Sequence, residues 1–161
     1  MPIETFTAQV ESIENLTHDV RRLDLRLIEP KTITFKPGQF ISFEMPHPQT
    51  GRLVTRAYSI ASQPSQSGVV TLLFNLVQDG PGSGFLFHLQ VGDKTHFKGP
   101  AGHFYLRDEP TRELLFVASG TGIAPIRSML LANEERSDPR PATLFWGLRS
   151  QRDLYDQEEL A

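Results

Sequence analysis

There is no cysteine among the 161 residues. The chain therefore forms neither a disulfide nor a thiolate-held iron–sulfur cluster, and any electron chemistry it carries falls to an organic group. No apolar run approaches the roughly 18 residues that a membrane helix needs. The N-terminal stretch through Ile3, Glu4 and Thr5 lacks the basic-then-apolar order of an export signal, so a cytoplasmic protein is expected. A basic excess is also missing: 16 Lys and Arg stand against 19 Asp and Glu, for a net charge of -3. The cations are scattered rather than clustered, which argues against a nucleic-acid partner. His18, His47, His88, His96 and His103 show no metal-ligand spacing, and no metal is expected.

What is present reads as a globular chain, 39% hydrophobic and 22% charged, long enough to bury a core of its own. Its organising stretch is Arg56-Ala57-Tyr58-Ser59. Alternate residues of a strand share a face, so Arg56 and Tyr58 can address one ligand together. The arginine offers a fork of donors suited to phosphate and the tyrosine a flat apolar ring with a polar tip. Taken alone, these four residues favour a half-exposed strand with Tyr58 packed and Arg56 in solvent, and only the motifs downstream change that.

From Phe6 to about Ser119 the hydrophobic period is mostly two. Phe6, Ala8 and Val10 alternate with polar residues, as do Leu23, Leu25 and Leu27, and Ile41, Phe43 and Met45 follow the turn Lys36-Pro37-Gly38-Gln39. Val69 to Val77 reads as a strongly apolar strand interrupted only by Asn75. Short strands separated by Gly and Pro turns predict a small antiparallel six-stranded barrel. The stretch Asp79-Gly80-Pro81-Gly82-Ser83-Gly84 leads into a short helix with Phe85, Leu86 and Leu89 on one side and Ser83 placed to cap it. A glycine-lined helix start is either a phosphate seat or an ordinary capped turn. Gly99-Pro100-Ala101-Gly102-His103-Phe104 predicts a sharp barrel corner.

After Arg112 the rhythm changes. Leu114 to Ala118 is a continuous apolar run of the kind found in covered parallel strands. Gly120-Thr121-Gly122 then opens a helix carrying Ile126, Met129 and Leu130, with Pro125 in its first turn. A second strand from Ala142 to Leu148 precedes another helix, with Asp153 as its expected cap and Leu154 and Leu160 inside it. This is the opening of a doubly wound parallel α/β sheet. The division expected is a barrel over 1–108 and the first part of an α/β unit over 109–161. Two parallel strands leave an apolar sheet face bare, so the chain is expected to be a fragment or to have that face covered by a partner.

In order and spacing, Arg56-Ala57-Tyr58-Ser59, Gly82-Ser83-Gly84, Gly99 to Phe104 and Gly120-Thr121-Gly122-Ile123-Ala124-Pro125 resemble the ferredoxin-NADP reductase family of flavoproteins. Gly147 to Tyr155 is similar to its oxygenase-reductase and flavin-reductase branch. The resemblance implies a flavin barrel followed by a NAD(P)-binding domain, with hydride passing from NAD(P)H to flavin N5. It implies FAD, with FMN as the runner-up, and a redox partner such as a ferredoxin, a flavodoxin or an oxygenase component. On that pattern Arg56 pairs with the pyrophosphate, Tyr58 lies against the flavin ring, and Ser59 hydrogen-bonds near N5. Gly82, Ser83 and Gly84 supply amides and a hydroxyl, and the strand end Asn75, Leu76 and Val77 runs beside the flavin. Gly120, Thr121 and Gly122 meet the nicotinamide end, with Thr121 on the hydride path. Ser59 and Thr121 are thus the catalytic candidates, and Arg149 and Arg152 stand either beside a 2′-phosphate or in solvent. The competing reading is a flavin-carrying electron-transfer or redox-sensing module with no dehydrogenase activity of its own.

Overall fold

The computed structural model describes residues 3–107, 109 and 111–160. Of the junction expected at 106–112, Asp108 and Pro110 lie outside the described residues. Six strands come first: β1 (Glu4–Asn15), β2 (Val20–Glu29), β3 (Phe40–Pro46), β4 (Leu53–Ser59), β5 (Val69–Asn75) and β6 (Lys94–Ala101), with helix α1 (Pro81–His88) between the last two. They form one antiparallel sheet in the order β4-β3-β6-β1-β2-β5. Its two ends meet through the bridge between Ile60 and Leu72 and the bond from Ala61 N to Thr71 O, 2.8 Å. The sheet therefore curls into the expected barrel, which leaves little open edge.

The two-residue period is what closes it. Leu23, Leu25 and Leu27 from β2 and Ile41, Phe43 and Met45 from β3 all point into one core with Phe6, Phe97 and Leu86. Strand β5 is apolar except at Thr71 and Asn75 because it serves two cores at once. Val70, Leu72 and Phe74 face the barrel interior, whereas Leu73, with Val20 and Ala61, packs against the second unit. A strand buried on both faces reads as a continuous run, as β5 does.

The second unit comprises β7 (Leu114–Ser119), α2 (Ile123–Glu135), β8 (Ala142–Gly147) and the short α3 (Gln157–Leu160). Strands β7 and β8 are parallel, with Leu114 opposite Ala142 and Ser119 opposite Gly147. Phe116, Ala118, Ile126 and Met129 build its core. On the other face Leu115, Val117 and Phe145 are 67%, 71% and 61% exposed, so the bare sheet face is where the pattern places it. Helix α2 also grips the barrel: Arg127 donates to Ala61 O at 2.7 Å and Ser128 to Ser62 O at 2.6 Å.

Three local expectations are corrected. Strand β5 stops at Asn75, two residues short, because the next backbone leaves the ladder: Leu76 N donates to Asp19 O and Val77 O accepts from Gly80 N. Ser83 does not cap α1. Gly80 holds that position and Ser83 sits inside the first turn, its hydroxyl accepting from Val77 N at 3.0 Å. Asp153 does not start a helix holding Leu154. It ends a 3-10 turn, Gln151–Asp153, in a capping box with Ser150, and α3 begins only at Gln157. The Ser-x-x-Asp spacing of a capping box makes the serine the start and the aspartate the third position.

Candidate active site

The end of β4, the end of β5, the first turn of α1 and the glycine turn before α2 enclose a cleft of about 410 Å³. Arg56, Ala57, Tyr58 and Ser59 line it together with Asn75, Val77, Gly82, Ser83, Thr121 and Gly122. The Arg56–Ser59 motif, the glycine-lined start of α1 and the turn at Thr121 and Gly122 thus meet in one place, whereas neither the Gly99–Phe104 stretch nor the Gly147–Tyr155 stretch reaches it.

Arg56 and Tyr58 do share a face. Opposite them in register stand Phe43 and Ile41, both fully buried, so the pair sits at the mouth of the barrel with Tyr58 half-buried against its core. The Tyr58 ring meets Phe43 and Phe74 edge-on, at centroid distances of 6.0 and 5.9 Å. Burial raises its phenol pKa, and the nearby Arg56 charge offsets part of the rise. The Arg56 guanidinium bonds Thr55 O at 2.9 Å and has no carboxylate partner among the described residues. The Ser59 hydroxyl likewise has no hydrogen-bond partner among them.

Gly82 closes this wall. A β-carbon there would lie 2.4 Å from the Tyr58 hydroxyl and 2.7 Å from Arg56 Cγ, so only glycine lets the start of α1 come down onto those two side chains. The helix start offers fewer donors than its glycines suggest. Pro81 has no N–H, and Gly84 N already donates to Gly80 O at 2.9 Å. That leaves the amides of Gly82 and Ser83 in the first turn. The Ser83 hydroxyl is held by Val77. Leu76 and Val77 stand exposed beyond the strand end, and only Val77 lines the cleft.

A second cleft, of about 530 Å³, adjoins the first. Gly120, Thr121 and Gly147 line it with Asp19, Arg149, Asp153 and Tyr155. Gly120 has φ 51, and its carbonyl accepts from Trp146 Nε1 at 2.9 Å, which fixes the turn. Asn75 and Thr121 line both clefts, and the Thr121 hydroxyl donates to Asn75 Oδ1 at 3.2 Å. Gly122 belongs to the first cleft rather than the second. Arg149 reaches back to the barrel, 2.6 Å from Asp19 and 3.5 Å from Asp153. Burial pushes the Asp19 carboxyl up, but hydrogen bonds from Arg149 and Thr17, with the charges of His18 and Arg149, bring it below the ordinary value.

The sequence reading missed Asp19, Trp146, Tyr155 and the grip of Arg127. Asp19 carried a local signal, a Thr17-x-Asp19 turn with its own side-chain bonds. The other three are set by tertiary packing, which a two- or 3.6-residue period does not carry.

Residues 7–105 match the oxidoreductase FAD-binding domain and residues 116–161 the oxidoreductase NAD-binding domain. The chain belongs to the ferredoxin-NADP reductase family, in its oxygenase-reductase branch. It is 35% identical over 158 residues to the reductase component of phenol 2-monooxygenase from Pseudomonas sp. (strain CF600), covering 98% of this chain and 43% of that protein. It is 35% identical to methane monooxygenase component C of Methylosinus trichosporium, covering 95% of this chain and 45% of the relative. Among solved structures, the ferredoxin reductase in carbazole 1,9a-dioxygenase superposes with a TM-score of 0.84 at 29% identity, covering 99% of this chain and 47% of that one. The Amycolatopsis cytochrome P450 reductase gives 0.82 at 28%, with 98% and 47% covered. The chain thus spans less than half the length of these relatives.

Proposed function

We propose that this chain is the flavin-holding and nucleotide-docking part of an NAD(P)H-dependent reductase that passes electrons to an oxygenase component or a ferredoxin. The observation that carries the reading is the convergence of Arg56, Tyr58 and Gly82 on one cleft that shares Asn75 and Thr121 with a second. The Arg56 fork, which has no carboxylate partner among the described residues, and the two bare amides of α1 suit a pyrophosphate at one end of the first cleft. The half-buried Tyr58 ring and the unpartnered Ser59 hydroxyl suit a planar ring that accepts a hydrogen bond at the other. These residues fit FAD better than FMN, because the Arg56 fork and the two bare amides of α1 together offer donors for two phosphates. When bound, the flavin supplies the hydride and electron chemistry, and the protein supplies position and electrostatics.

The second cleft is the proposed nicotinamide-nucleotide seat, with Gly120 and Thr121 at the boundary that hydride has to cross. Hydride transfer needs the reacting atoms about 3 to 3.5 Å apart, and among the described residues Asn75 and Thr121 are the ones that line both clefts. On this reading residues 1–108 form the flavin domain and 109–161 begin the nucleotide domain. No helix among the described residues is long and apolar enough to cross a membrane, and a cytoplasmic setting is the one we infer.

The uncovered face at Leu115, Val117 and Phe145 supports a second reading, in which the chain holds flavin but does not turn over a nucleotide alone. One experiment separates the two. The purified chain is saturated with FAD and then mixed anaerobically with NADH or NADPH while flavin absorbance is followed. Bleaching assigns the reductase, a yellow protein that does not bleach assigns the carrier, and a protein that stays colourless overturns both. Heat release and chromatography of any co-purified flavin tells FAD from FMN.

A further inference from the structure

A third pocket, of about 570 Å³, lies between the two units on the far side of α2. Helix α2 is 13 residues long, about 20 Å. Ala124 at its start lines the proposed flavin cleft, whereas Asn133 and Arg136 at its end line this pocket. The described lining consists of cations, amides and apolar groups and includes no carboxylate. Lys36 comes from the β2–β3 loop, Arg107 from the segment after β6, and Arg136 and Arg140 from the end of α2 and beyond.

Of these, Arg140 is held by Asp138, Nε to Oδ1 at 2.9 Å and Nη2 to Oδ2 at 2.5 Å. Lys36, Arg107 and Arg136 have no salt-bridge partner among the described residues. The Lys36 ammonium lies 4.4 Å from the centre of the Tyr105 ring, which holds it at the pocket. Asn133 also lines the pocket, and its Nδ2 lies enclosed behind the lining with no acceptor among the described residues. Such an atom normally finds a partner.

The pocket is built rather than incidental. Gly38 has φ +102, and a β-carbon there would fall 1.9 Å from Phe104 O and 2.5 Å from Met129 Cε. The loop bearing Lys36 is thus pressed onto both the segment leading to Arg107 and helix α2. Gln39, buried, locks it further, accepting from Lys36 N at 2.9 Å and donating to Gly102 O at 3.1 Å. Pro37, Leu106 and Met129 give the pocket an apolar wall.

We propose that this pocket binds a small molecule bearing an oxyanion, a phosphate or carboxylate, gripped by Arg107, Arg136 and Lys36 with its apolar body against Pro37, Leu106 and Met129. Guanidinium forks match both anions in geometry, and charge-assisted bonds are the stronger kind. The ligand touches both units and so stiffens their junction.

The test uses the full chain at fixed ionic strength, titrated with inorganic phosphate, phenyl phosphate and benzoate while the melting temperature and the side-chain amide signals of Asn133 are followed. A saturable rise with a shift of the Asn133 signal is expected for at least one probe, with the organic anions tighter than inorganic phosphate. The better of phenyl phosphate and benzoate identifies the head group. The double variant Arg107→Gln/Arg136→Gln, at exposed positions that leave the fold intact, weakens binding at least tenfold, since each lost charged hydrogen bond is worth about a factor of ten. The rise persists in Arg56→Gln. Loss in Arg56→Gln alone would place the anion in the flavin cleft and overturn the proposal, as would no rise or an undiminished rise in the double variant. None of these readouts uses flavin or nucleotide, so the proposal stands or falls apart from the reductase reading.

Discussion

Thr121 and Asn75 join the two units at the point where their clefts meet: the threonine hydroxyl donates to the asparagine carbonyl oxygen at 3.2 Å. The asparagine ends strand β5 of the barrel sheet and the threonine lies in the turn before α2. The bond therefore sets the position of the glycine turn relative to the flavin cleft. Thr121→Val and Asn75→Ala are each expected to lower stability by about 1 kcal/mol, the net worth of one such bond. Both are expected to slow bleaching of bound flavin by NADH. In a double-mutant cycle read by urea unfolding and stopped-flow reduction, the two losses should be less than additive. Full additivity would show that the bond does not link the two sites.

Gly82 tests the cradle itself. Adding a methyl group 2.4 Å from the Tyr58 hydroxyl and 2.7 Å from Arg56 Cγ forces the helix start or both side chains to shift. Overpacking of this kind costs about 1 to 3 kcal/mol. In Gly82→Ala the penalty falls on the flavin seat, because Arg56 is exposed and free to swing outward. Flavin affinity should drop tenfold or more, measured by fluorescence quenching on titration with FAD. The far-ultraviolet circular dichroism should not change. Wild-type affinity would mean that the ligand does not touch this wall.

Ser59 follows Tyr58 on the same strand, and its hydroxyl has no partner among the described residues. Ser59→Ala removes no internal bond and should leave the melting temperature within about 1 °C, as substitutions away from packed or bonded features do. It should slow flavin reduction in stopped flow while flavin remains bound. Equal reduction rates would take away the role assigned to this hydroxyl.

The acid limb of the stability curve has an identifiable contributor. The Arg140 side chain and its backbone amide hold the Asp138 carboxyl down, from an ordinary 3.8 to about 2. A carboxylate with a lowered pKa adds stability that is fully present above 3.8 and is lost as pH falls toward 2. Asp138→Asn should therefore flatten the fall of melting temperature between about pH 4 and 2, leaving a constant offset near neutrality. An unchanged slope in that window would remove Asp138 from the account.

Much of the fold is legible in the sequence because it rests on periods. Leu23, Leu25 and Leu27, or Ile41, Phe43 and Met45, alternate because one face is buried, and burial confirms each set. The glycine motifs mark the site because close approach and left-handed turns demand glycine, as Gly82 and Gly120 show. What escaped was bonding that competes locally. Ser83 reads as a cap by type, yet its hydroxyl is taken by Val77. Asp153 reads as a cap by position, yet it closes a box begun by Ser150. Arg149 reads as a cation for a 2′-phosphate or for solvent, and only the three-dimensional fold brings Asp19 to it.

Arg127 carries the last prediction, and nothing in its sequence context announces it. An arginine in the middle of an amphipathic helix reads as its solvent side, yet this one is 8% exposed. It donates to Ala61 O at 2.7 Å and to Glu159 at 2.9 and 2.5 Å. Ala61 lies two residues beyond Ser59, so the guanidinium anchors the chain just past the flavin motif. Arg127→Met strips Ala61 of a buried donor and leaves Glu159 only the more distant Arg22, at 3.9 Å. Breaking a buried pair costs about 3 to 5 kcal/mol, but Glu159 is partly solvated, 36% exposed at its side chain, so a loss of about 2 to 3 kcal/mol is expected. Arg127→Lys keeps the charge but not the fork, and should recover part of the loss by reaching one of the two partners. Urea unfolding of both variants decides the matter: a loss below about 1 kcal/mol in Arg127→Met, the scale of one ordinary hydrogen bond, would mean that apolar packing around Leu73, Ala61 and Ile123 holds the two units together without it.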